Sequence, residues 1–198
     1  MVWSNCHRRR GSTETAASDP SLTSASDPRE PFALPIHAVR ELSLQLIPVG
    51  RGKESSQWNE LIERYHPLRY TPLPGAQLRY LAFSGAHLLA ALGFGAAAWS
   101  LAPRDRFIGW STEERTRNLH RVVNNARFLI PPWVRSQNLA SRLLAEVAKR
   151  LPRDWEARYG FRPVLLGVLS ASVYEPAAPD AYGGPACQAQ AIAGWGAG

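Results

Sequence analysis

The densest charge cluster in the sequence is Arg104-Asp105-Arg106. A carboxylate such as Asp105 can act as a general base or bind a metal ion, and arginines such as Arg104 and Arg106 can bind the phosphates of a nucleic acid. An aspartate between two arginines more often forms an ion pair on a turn. Asp105 is therefore a candidate catalytic residue with an ion pair as the alternative, and both arginines are candidate nucleic-acid contacts.

A second polar group lies in an otherwise apolar run, where Asn124 and Asn125 come just before Arg127. Buried amides need hydrogen-bond partners, so these side chains either tie the sheet together or face a cleft. We keep Asn124 and Asn125 as weak candidates for catalysis and Arg127 as a candidate nucleic-acid contact.

The sequence contains no pattern typical of a metal site or an activated nucleophile. His66 and His120 are far apart, without a second ligand at metal spacing, and Tyr65-His66 fits a packed helix end better than an acid–base pair. Cys6 and Cys187 form neither a disulfide framework nor a zinc motif. We therefore expect no metal, and the catalytic residues and any cofactor remain unknown at this stage.

Composition indicates a globular protein with anionic partners. The chain has 198 residues, 45% of them hydrophobic, and a net charge of +7, which favours nucleic acid or another anionic partner. Its longest apolar stretch, 86–102, is shorter than the ~20 residues that cross a bilayer, so we expect no membrane partner and a cytoplasmic location. The tryptophans among the arginines can stack on bases or pack in the core: Trp99, Trp110, Trp133 and Trp155.

A β–α–β unit at 124–166 is predicted to position several of these residues. Residues 124–130 form a buried strand, and the apolar positions from Leu139 to Leu151 recur with helical spacing until Pro152 ends the helix. A second buried strand begins at Pro163. This order predicts a parallel strand pair with a right-handed crossover.

The remaining pattern predicts an α/β fold with a mixed sheet. Upstream of the unit, the sequence indicates a strand at 41–48, a helix near 58–65, a hairpin at 78–83 and 88–99, a short strand at 107–110 and a helical turn at 113–119. Residues 1–40 are predicted to be a disordered N-terminal segment, because they lack apolar periodicity. Residues 41–166 then form the domain, and 167–198 an irregular Ala/Gly/Pro-rich tail.

The segment between the first strand and the helix of the unit can hold a pyrophosphate at the helix N-terminus. Its order of elements resembles the acetyltransferases of the GNAT superfamily, whose acyl-CoA loop is Gln/Arg-x-x-Gly-x-Gly/Ala. Arg135, Leu139 and Ala140 fit that loop, whereas Asn138 stands in the place of its glycine. The resemblance implies acetyl-CoA as a possible cofactor, but Asn138 disfavours it and is instead interpreted as a helix N-cap.

Five ordered motifs between residues 42 and 166 resemble the DruA family, named for the Druantia anti-phage defence system: WNELIERYH (58–66), PGAQLRYL (74–81), RDRFIGW (104–110), NNARFLI (124–130) and NLAS (138–141). Family members often lie near transposases or carry only the name of a domain of unknown function. The resemblance implies a cytoplasmic bacterial protein of phage defence or mobile elements. Other defence-system proteins are then possible partners, and the family's biochemical activity is unsettled.

Three hypotheses follow from the sequence. The first is a DruA-like protein with a GNAT-like core that acts on or near nucleic acid in defence. The second is a GNAT-type acyltransferase that uses acetyl-CoA. The third is an inactive remnant, because the family's sequence is not continued after Leu166 and the tail looks truncated or frameshifted. Such a loss would leave an unpaired sheet edge.

Overall fold

A computed structural model of the chain describes residues 22–33, 35, 37, 39, 41–171 and 187–194. Its helices and strands are β1 (Leu42–Leu46), α1 (Lys53–Tyr65), β2 (Gln77–Ser84), β3 (His87–Ala96), α2 (Ala102–Ile108), α3 (Thr112–Asn118), β4 (Val122–Leu129), α4 (Leu139–Tyr159), β5 (Leu165–Ala171) and β6 (Cys187–Gly194), with 3-10 turns at Ser24–Ser26 and Leu119–Arg121. The described helices are all too short or too polar to cross a membrane.

The six strands form one sheet in the order β1-β2-β3-β4-β5-β6. Neighbouring strands are antiparallel except β4 and β5, which are parallel and are joined through α4. This arrangement confirms the predicted mixed α/β sheet, the hairpin of β2 and β3, and the parallel pair of strands joined by a helix. A parallel pair needs a long crossover, and α4 supplies it.

Helix α4 does not end at Pro152, as the sequence pattern predicted. It continues to Tyr159 and ends where Gly160 adopts a left-handed φ of 77°. Proline removes one helical hydrogen bond, but Leu151 and Trp155 on either side of it are fully buried. Burial of this apolar face offsets the lost bond, so packing overrides the local preference.

Helices α1 and α4 cover opposite faces of the sheet. On β2, the Arg79 guanidinium donates to Asn59 and Ser55 of α1, both at 2.9 Å. The next residue, Tyr80, donates its hydroxyl to Asp154 of α4 at 3.0 Å. Because successive side chains of a strand point to opposite faces, the sheet has a core on each side.

The segment before β1 packs on α1 through polar side chains. The carboxylate of Glu60 is 2% exposed. It accepts hydrogen bonds from the Thr23 amide and hydroxyl and from the Ser26 hydroxyl, each at 2.9 Å to Oε2. Further along, the Phe32 side chain is buried in the core. A buried carboxylate is stable only when hydrogen-bonded, so these residues hold the segment in place.

The disorder predicted for residues 1–40 therefore does not extend to 22–33. Sequence reasoning relied on apolar periodicity, which this segment lacks, whereas its contacts are mostly polar. Residues 1–21 of the predicted disordered segment lie outside the described residues.

The predicted irregular tail contains strands in its described part. Strand β5 continues past Leu166 to Ala171, and β6 pairs with it in antiparallel register. The sequence predicted an unpaired sheet edge after Leu166, but β5 is paired with β6 from Leu165 to Ala171. Backbone pairing does not require large side chains, which explains why an alanine-rich strand gives no hydrophobic pattern. Residues 172–186 and 195–198 lie outside the described part.

Candidate functional site

The first candidate residue, Asp105, lies in a network of hydrogen bonds on α2 that we name the Asp105 cluster. Its Oδ1 accepts from Arg104 Nε at 2.8 Å, from Arg104 Nη2 at 2.6 Å and from Trp110 Nε1 at 3.1 Å. Its Oδ2 accepts from the Leu101 amide at 3.2 Å and from Arg115 Nη1 at 3.4 Å. Both carboxylate oxygens are therefore occupied.

Electrostatics agree with an ion pair at Asp105. Burial alone would raise the pKa of this carboxyl, but hydrogen bonds from Arg104 and from the Leu101 amide outweigh burial and hold the pKa below its ordinary value of 3.8. An ionised carboxylate with five donors is a poor general base and has no position left for a metal ion. The geometry favours the ion-pair alternative over catalysis.

Local sequence explains how this cluster forms. Residues 107–110 were predicted to form a strand. Instead, α2 ends at Ile108, and Gly109 caps the helix with a left-handed φ of 74°. The turn brings Trp110 back to Asp105. Helix α3 then begins with a capping box. The Ser111 hydroxyl accepts the Glu114 backbone N–H, and the Glu114 carboxylate accepts the Ser111 backbone N–H.

The two arginines that flank Asp105 differ in accessibility. Arg104 is 3% exposed and also donates Nη1 to the Ala98 carbonyl at 2.7 Å, so its guanidinium is not accessible to a phosphate. Arg106 is exposed. Of this pair of predicted nucleic-acid contacts, the structure leaves Arg106 accessible.

Large aromatic side chains are exposed beside the cluster. Trp99 is 59% exposed and Phe107 is 66% exposed, and the Arg115 guanidinium lies 5.5 Å from the centre of the Trp99 ring. Arg106 and Arg117 are exposed on the same two helices. We name these residues, Trp99, Arg106, Phe107, Arg115 and Arg117, the α2–α3 surface. The other three candidate tryptophans are half-buried or buried: Trp110, Trp133 and Trp155.

An open cleft of about 590 Å³ adjoins the α2–α3 surface. It is lined by Phe107, Ile108, Gly109, Trp110, Glu114, Asn118, Val122, Val164 and Leu165. Aromatic and aliphatic walls with a few polar groups are typical of ligand clefts of this size. The Glu114 carboxylate accepts the Ser111 amide at 2.7 Å, so its role in the cap is structural.

Asn125 of β4 ties two strands of the sheet together, and Asn124 packs against a third. The Asn125 side-chain amide donates to the carbonyls of Gly93 at 3.3 Å and Arg127 at 3.1 Å, across a β-bulge. Asn124 lies against Gly167 of β5, where an added Cβ would come within 2.7 Å of Asn124 Oδ1. Both asparagines are buried. These contacts support the sheet-tying interpretation rather than an open catalytic amide.

Arg127 lies at the bulge, on the face of the sheet that Trp58 of α1 covers. Arg127 Nη1 donates to the Ala126 carbonyl at 2.8 Å, while Arg127 Nε is buried without a hydrogen-bond partner. Among the described residues, no carboxylate lies within 4.0 Å of the Arg127 guanidinium. Burial, together with the Arg127 charge, lowers the pKa of His66 from its ordinary value of 6.5.

His66 was interpreted as a packed helix end, which its position confirms, since its backbone N–H caps α1 by donating to the Ile62 carbonyl. Sequence reasoning did not single out Phe107, Arg115 or Arg117 of the α2–α3 surface. No short-range pattern shows them, because the exposure of a side chain depends on how α2 and α3 pack on the rest of the domain.

The β4–α4 loop places the four residues predicted to bind acetyl-CoA. Asn138 occupies the N-cap of α4, as predicted, but makes no side-chain capping hydrogen bond and has a left-handed φ of 64°. Asparagine tolerates this backbone better than most residues do. Arg135 is exposed, Ala140 is half-buried and Leu139 is 1% exposed. The acetyl-CoA prediction stays a prediction.

The comparisons with known proteins concern nearly the whole chain. A family model described as Druantia protein DruA matches residues 7–177. The chain belongs to the DruA family. The DruA match begins before the predicted domain start at residue 41 and extends beyond 166, and it includes all the candidate site residues.

No curated protein and no solved structure matches this chain. The DruA assignment therefore stands on the family model, and the GNAT-like core remains a prediction. The family points to a component of the Druantia anti-phage system, without giving its molecular activity.

Proposed function

We propose that this DruA-family protein acts in phage defence by binding nucleic acid through the α2–α3 surface, in the bacterial cytoplasm and together with other defence-system proteins. The observation that carries the proposal is the exposed Trp99 ring beneath the Arg115 guanidinium, together with the exposed Phe107 of α2. Unpaired bases stack on exposed aromatic rings, and arginines neutralise their phosphates.

The chemistry of this surface suits single-stranded nucleic acid. Exposing large aromatic rings to water is unfavourable, so exposed rings next to arginines are typical of a binding surface. Residues 102–121 contain five arginines and three acidic residues, and the chain as a whole carries a net charge of +7. The adjoining cleft, with Phe107 and Trp110 in its walls, has room for a nucleobase.

In this proposal the Asp105 cluster is a support for the surface. Asp105 fixes Arg115, which in turn lies over Trp99, and it also fixes Arg104, which holds the Ala98 carbonyl. The carboxylate therefore orders the stretch that presents the aromatic ring. Its role is positioning rather than contact with nucleic acid.

Fluorescence anisotropy with a labelled single-stranded DNA oligonucleotide tests the proposal. Stacking of one base contributes about 1–3 kcal/mol, so Trp99→Ala and Phe107→Ala should each weaken binding roughly fivefold or more. Arg106→Ala should reduce the slope of log affinity against log salt concentration by about 0.7.

Two exposed positions elsewhere provide matched controls. Val49 is 75% exposed and the Lys149 side chain 71% exposed, so Val49→Ala and Lys149→Ala remove an apolar group and a charge from other surfaces. Both variants should bind as the native protein does. Equal losses in the control and test variants, or no binding by the native protein, would reject the proposal.

The acyltransferase alternative has one favourable observation, the left-handed φ of Asn138. A glycine would adopt this conformation readily, so Asn138→Gly restores the acyl-CoA loop of the GNAT pattern without backbone strain. If the alternative holds, acetyl-CoA raises the thermal midpoint, and it does so further in this variant. No shift in either protein argues against acetyl-CoA.

A further inference from the structure

The cleft beside the α2–α3 surface has apolar walls that are ordered before any ligand binds. Phe107 and Trp110 are its aromatic wall residues. The Trp110 ring is held in place, because its Nε1 donates to Asp105 Oδ1 at 3.1 Å and the Arg104 guanidinium lies 5.5 Å from the ring centre. A wall that is already fixed loses little conformational entropy on binding. Such a cleft suits a flat ligand with an apolar ring.

Three hydrogen-bond donors that line the cleft are engaged within the protein. Besides Trp110 Nε1, the Gly109 amide donates to the Asp105 carbonyl at 2.9 Å, and the Val164 amide donates to the Arg121 carbonyl at 2.8 Å. These groups are not offered to a ligand. The cleft therefore does not favour a ligand whose polar atoms are mainly acceptors.

The polar edge of the cleft offers acceptors instead. Glu114 and Asn118 both line it and lie four residues apart on α3, which places them on one face of the helix with Cβ atoms about 6 Å apart. Glu114 Oε2 accepts the Ser111 amide at 2.7 Å, whereas no described residue donates to Oε1. Asn118 Nδ2 donates to the Glu114 carbonyl at 2.9 Å, which leaves Oδ1 as an acceptor.

A flat ring with N–H donors matches two acceptors at the edge of an aromatic cleft. Among the bases of nucleic acids, guanine alone carries a ring N–H next to an amino group on its Watson–Crick edge. Adenine and cytosine have an acceptor nitrogen beside the amino group, and thymine has a carbonyl on each side of its N–H. An ionised carboxylate only accepts hydrogen bonds, so it repels these acceptors.

We infer that the cleft binds a guanine base, with Phe107 and Trp110 against the ring and with Glu114 and Asn118 accepting hydrogen bonds from its Watson–Crick edge. Unpaired bases are recognised in this way, by stacking and by contacts to that edge. The inference deepens the proposed function and rests on it where the guanine belongs to a single strand on the α2–α3 surface. A free guanine nucleotide is the other source of the same base.

The first test compares purines in one position of a single strand. Fluorescence anisotropy measures the binding of oligo-dT that carries one central dG, dA or deoxyinosine. The strand with dG should bind about fivefold more tightly than the strand with dA, since a matched pair of hydrogen bonds discriminates by about 1–3 kcal/mol. Deoxyinosine keeps the ring N–H but lacks the amino group, so its affinity should lie between them. Equal affinities for the three strands would overturn the inference.

Glu114→Gln changes the polar edge while it keeps the helix cap, because glutamine also serves in a capping box. It replaces one carboxylate oxygen by a donor, so the preference for dG over dA should fall to less than twofold. Glu113→Gln is the matched control: Glu113 lies in the same helical turn and is exposed, and it does not line the cleft. This control should keep the preference. An equal loss in both variants would mean that only net charge matters and would overturn the inference.

A second pair of variants keeps the test open if Glu114→Gln does not fold. Asn118→Ala removes the other acceptor and should reduce the preference for dG several-fold. Thr116→Ala is its control, because the Thr116 hydroxyl donates to the Thr112 carbonyl at 2.9 Å, as Asn118 does to that of Glu114, but lies outside the cleft. A preference that is unchanged in Asn118→Ala, or lost equally in Thr116→Ala, contradicts the inference.

The last experiment separates the two sources of the base and the two proposals. Guanosine monophosphate should raise the thermal midpoint of the full chain more than adenosine monophosphate does, and Glu114→Gln should lose this difference. If this result comes with no oligonucleotide binding, the guanine site stands and the α2–α3 proposal fails. If oligonucleotides bind without preference and the two nucleotides act alike, the guanine site fails and the α2–α3 proposal stands. Trp99→Ala should weaken all oligonucleotides by a similar factor, which leaves the dG preference unchanged.

Discussion

The Asp105 cluster and Arg127 use the same residue type in different ways. In the cluster, Arg104 and Arg115 share one carboxylate whose oxygens are all occupied. The half-buried Arg127 instead donates to the Ala126 carbonyl, and no described carboxylate lies within 4.0 Å of it. The comparison leads us to expect that the ion pairs of Asp105 support the fold, whereas the charge of Arg127 contributes little to stability.

The largest predicted effect concerns the saturated region. Asp105→Ala leaves the buried Arg104 without its counter-ion and should lower the free energy of unfolding by about 3 kcal/mol. Urea denaturation measures this change. Arg106→Ala, on the exposed side of the same helix, should change it by less than about 0.5 kcal/mol. Similar values for the two variants would remove the distinction between fold support and surface.

An intermediate effect is expected beneath Arg127. Gly93→Ala adds a Cβ that would lie 2.9 Å from the fully packed Trp58 ring, and such overpacking costs about 1–3 kcal/mol. Gly95→Ala on the same strand is the matched control, since its Cβ would meet only the Ala76 carbonyl at 3.9 Å. If both variants unfold at the same denaturant concentration, the close approach at Gly93 is not required.

Arg127→Met should have a small effect on stability, in contrast to Asp105→Ala. Replacing an unpaired, half-buried cation by an apolar side chain removes a desolvation penalty, so the free energy of unfolding should change by less than about 1 kcal/mol or rise. Urea denaturation checks this. A loss of 3 kcal/mol would instead indicate that Arg127 supports the fold as Asp105 does.

The smallest effect is the pH dependence of stability. Because the folded pKa of His66 is lowered from 6.5, the unfolded chain takes up a proton first as the pH falls through 6.5. Stability therefore declines with acidification until the folded pKa is reached. His66→Gln should remove this decline. The contribution of the Asp105 carboxylate to the free energy of unfolding persists until the pH falls below about 3.8. Chemical denaturation at several pH values checks both regions.

Much of the fold follows from local pattern. The hairpin and the parallel pair around α4 were predictable, because alternation and helical spacing are recorded in neighbouring residues. The end of α4 was not, since burial of Trp155 decides it against the local effect of Pro152. The strand predicted at 107–110 was wrong, because a short apolar run fits a helix equally well.

The candidate site could be predicted only residue by residue. Asp105, Asn125 and Arg127 were identifiable from their chemistry, but their partners were not. Whether an arginine meets a carboxylate or an amide depends on packing between elements distant in the chain, as with Arg79 of β2 and Asn59 of α1. Single-sequence patterns do not contain that information.

The hydrogen bonds that Glu60 accepts from Thr23 and Ser26 bear on where this domain can be cut. A fragment that starts at β1 would contain every strand and helix of the sheet described here, yet it would lack these three donors and the buried Phe32 side chain. We therefore expect the smallest autonomous folding unit of the domain to begin upstream of its first strand, among residues whose composition resembles a linker.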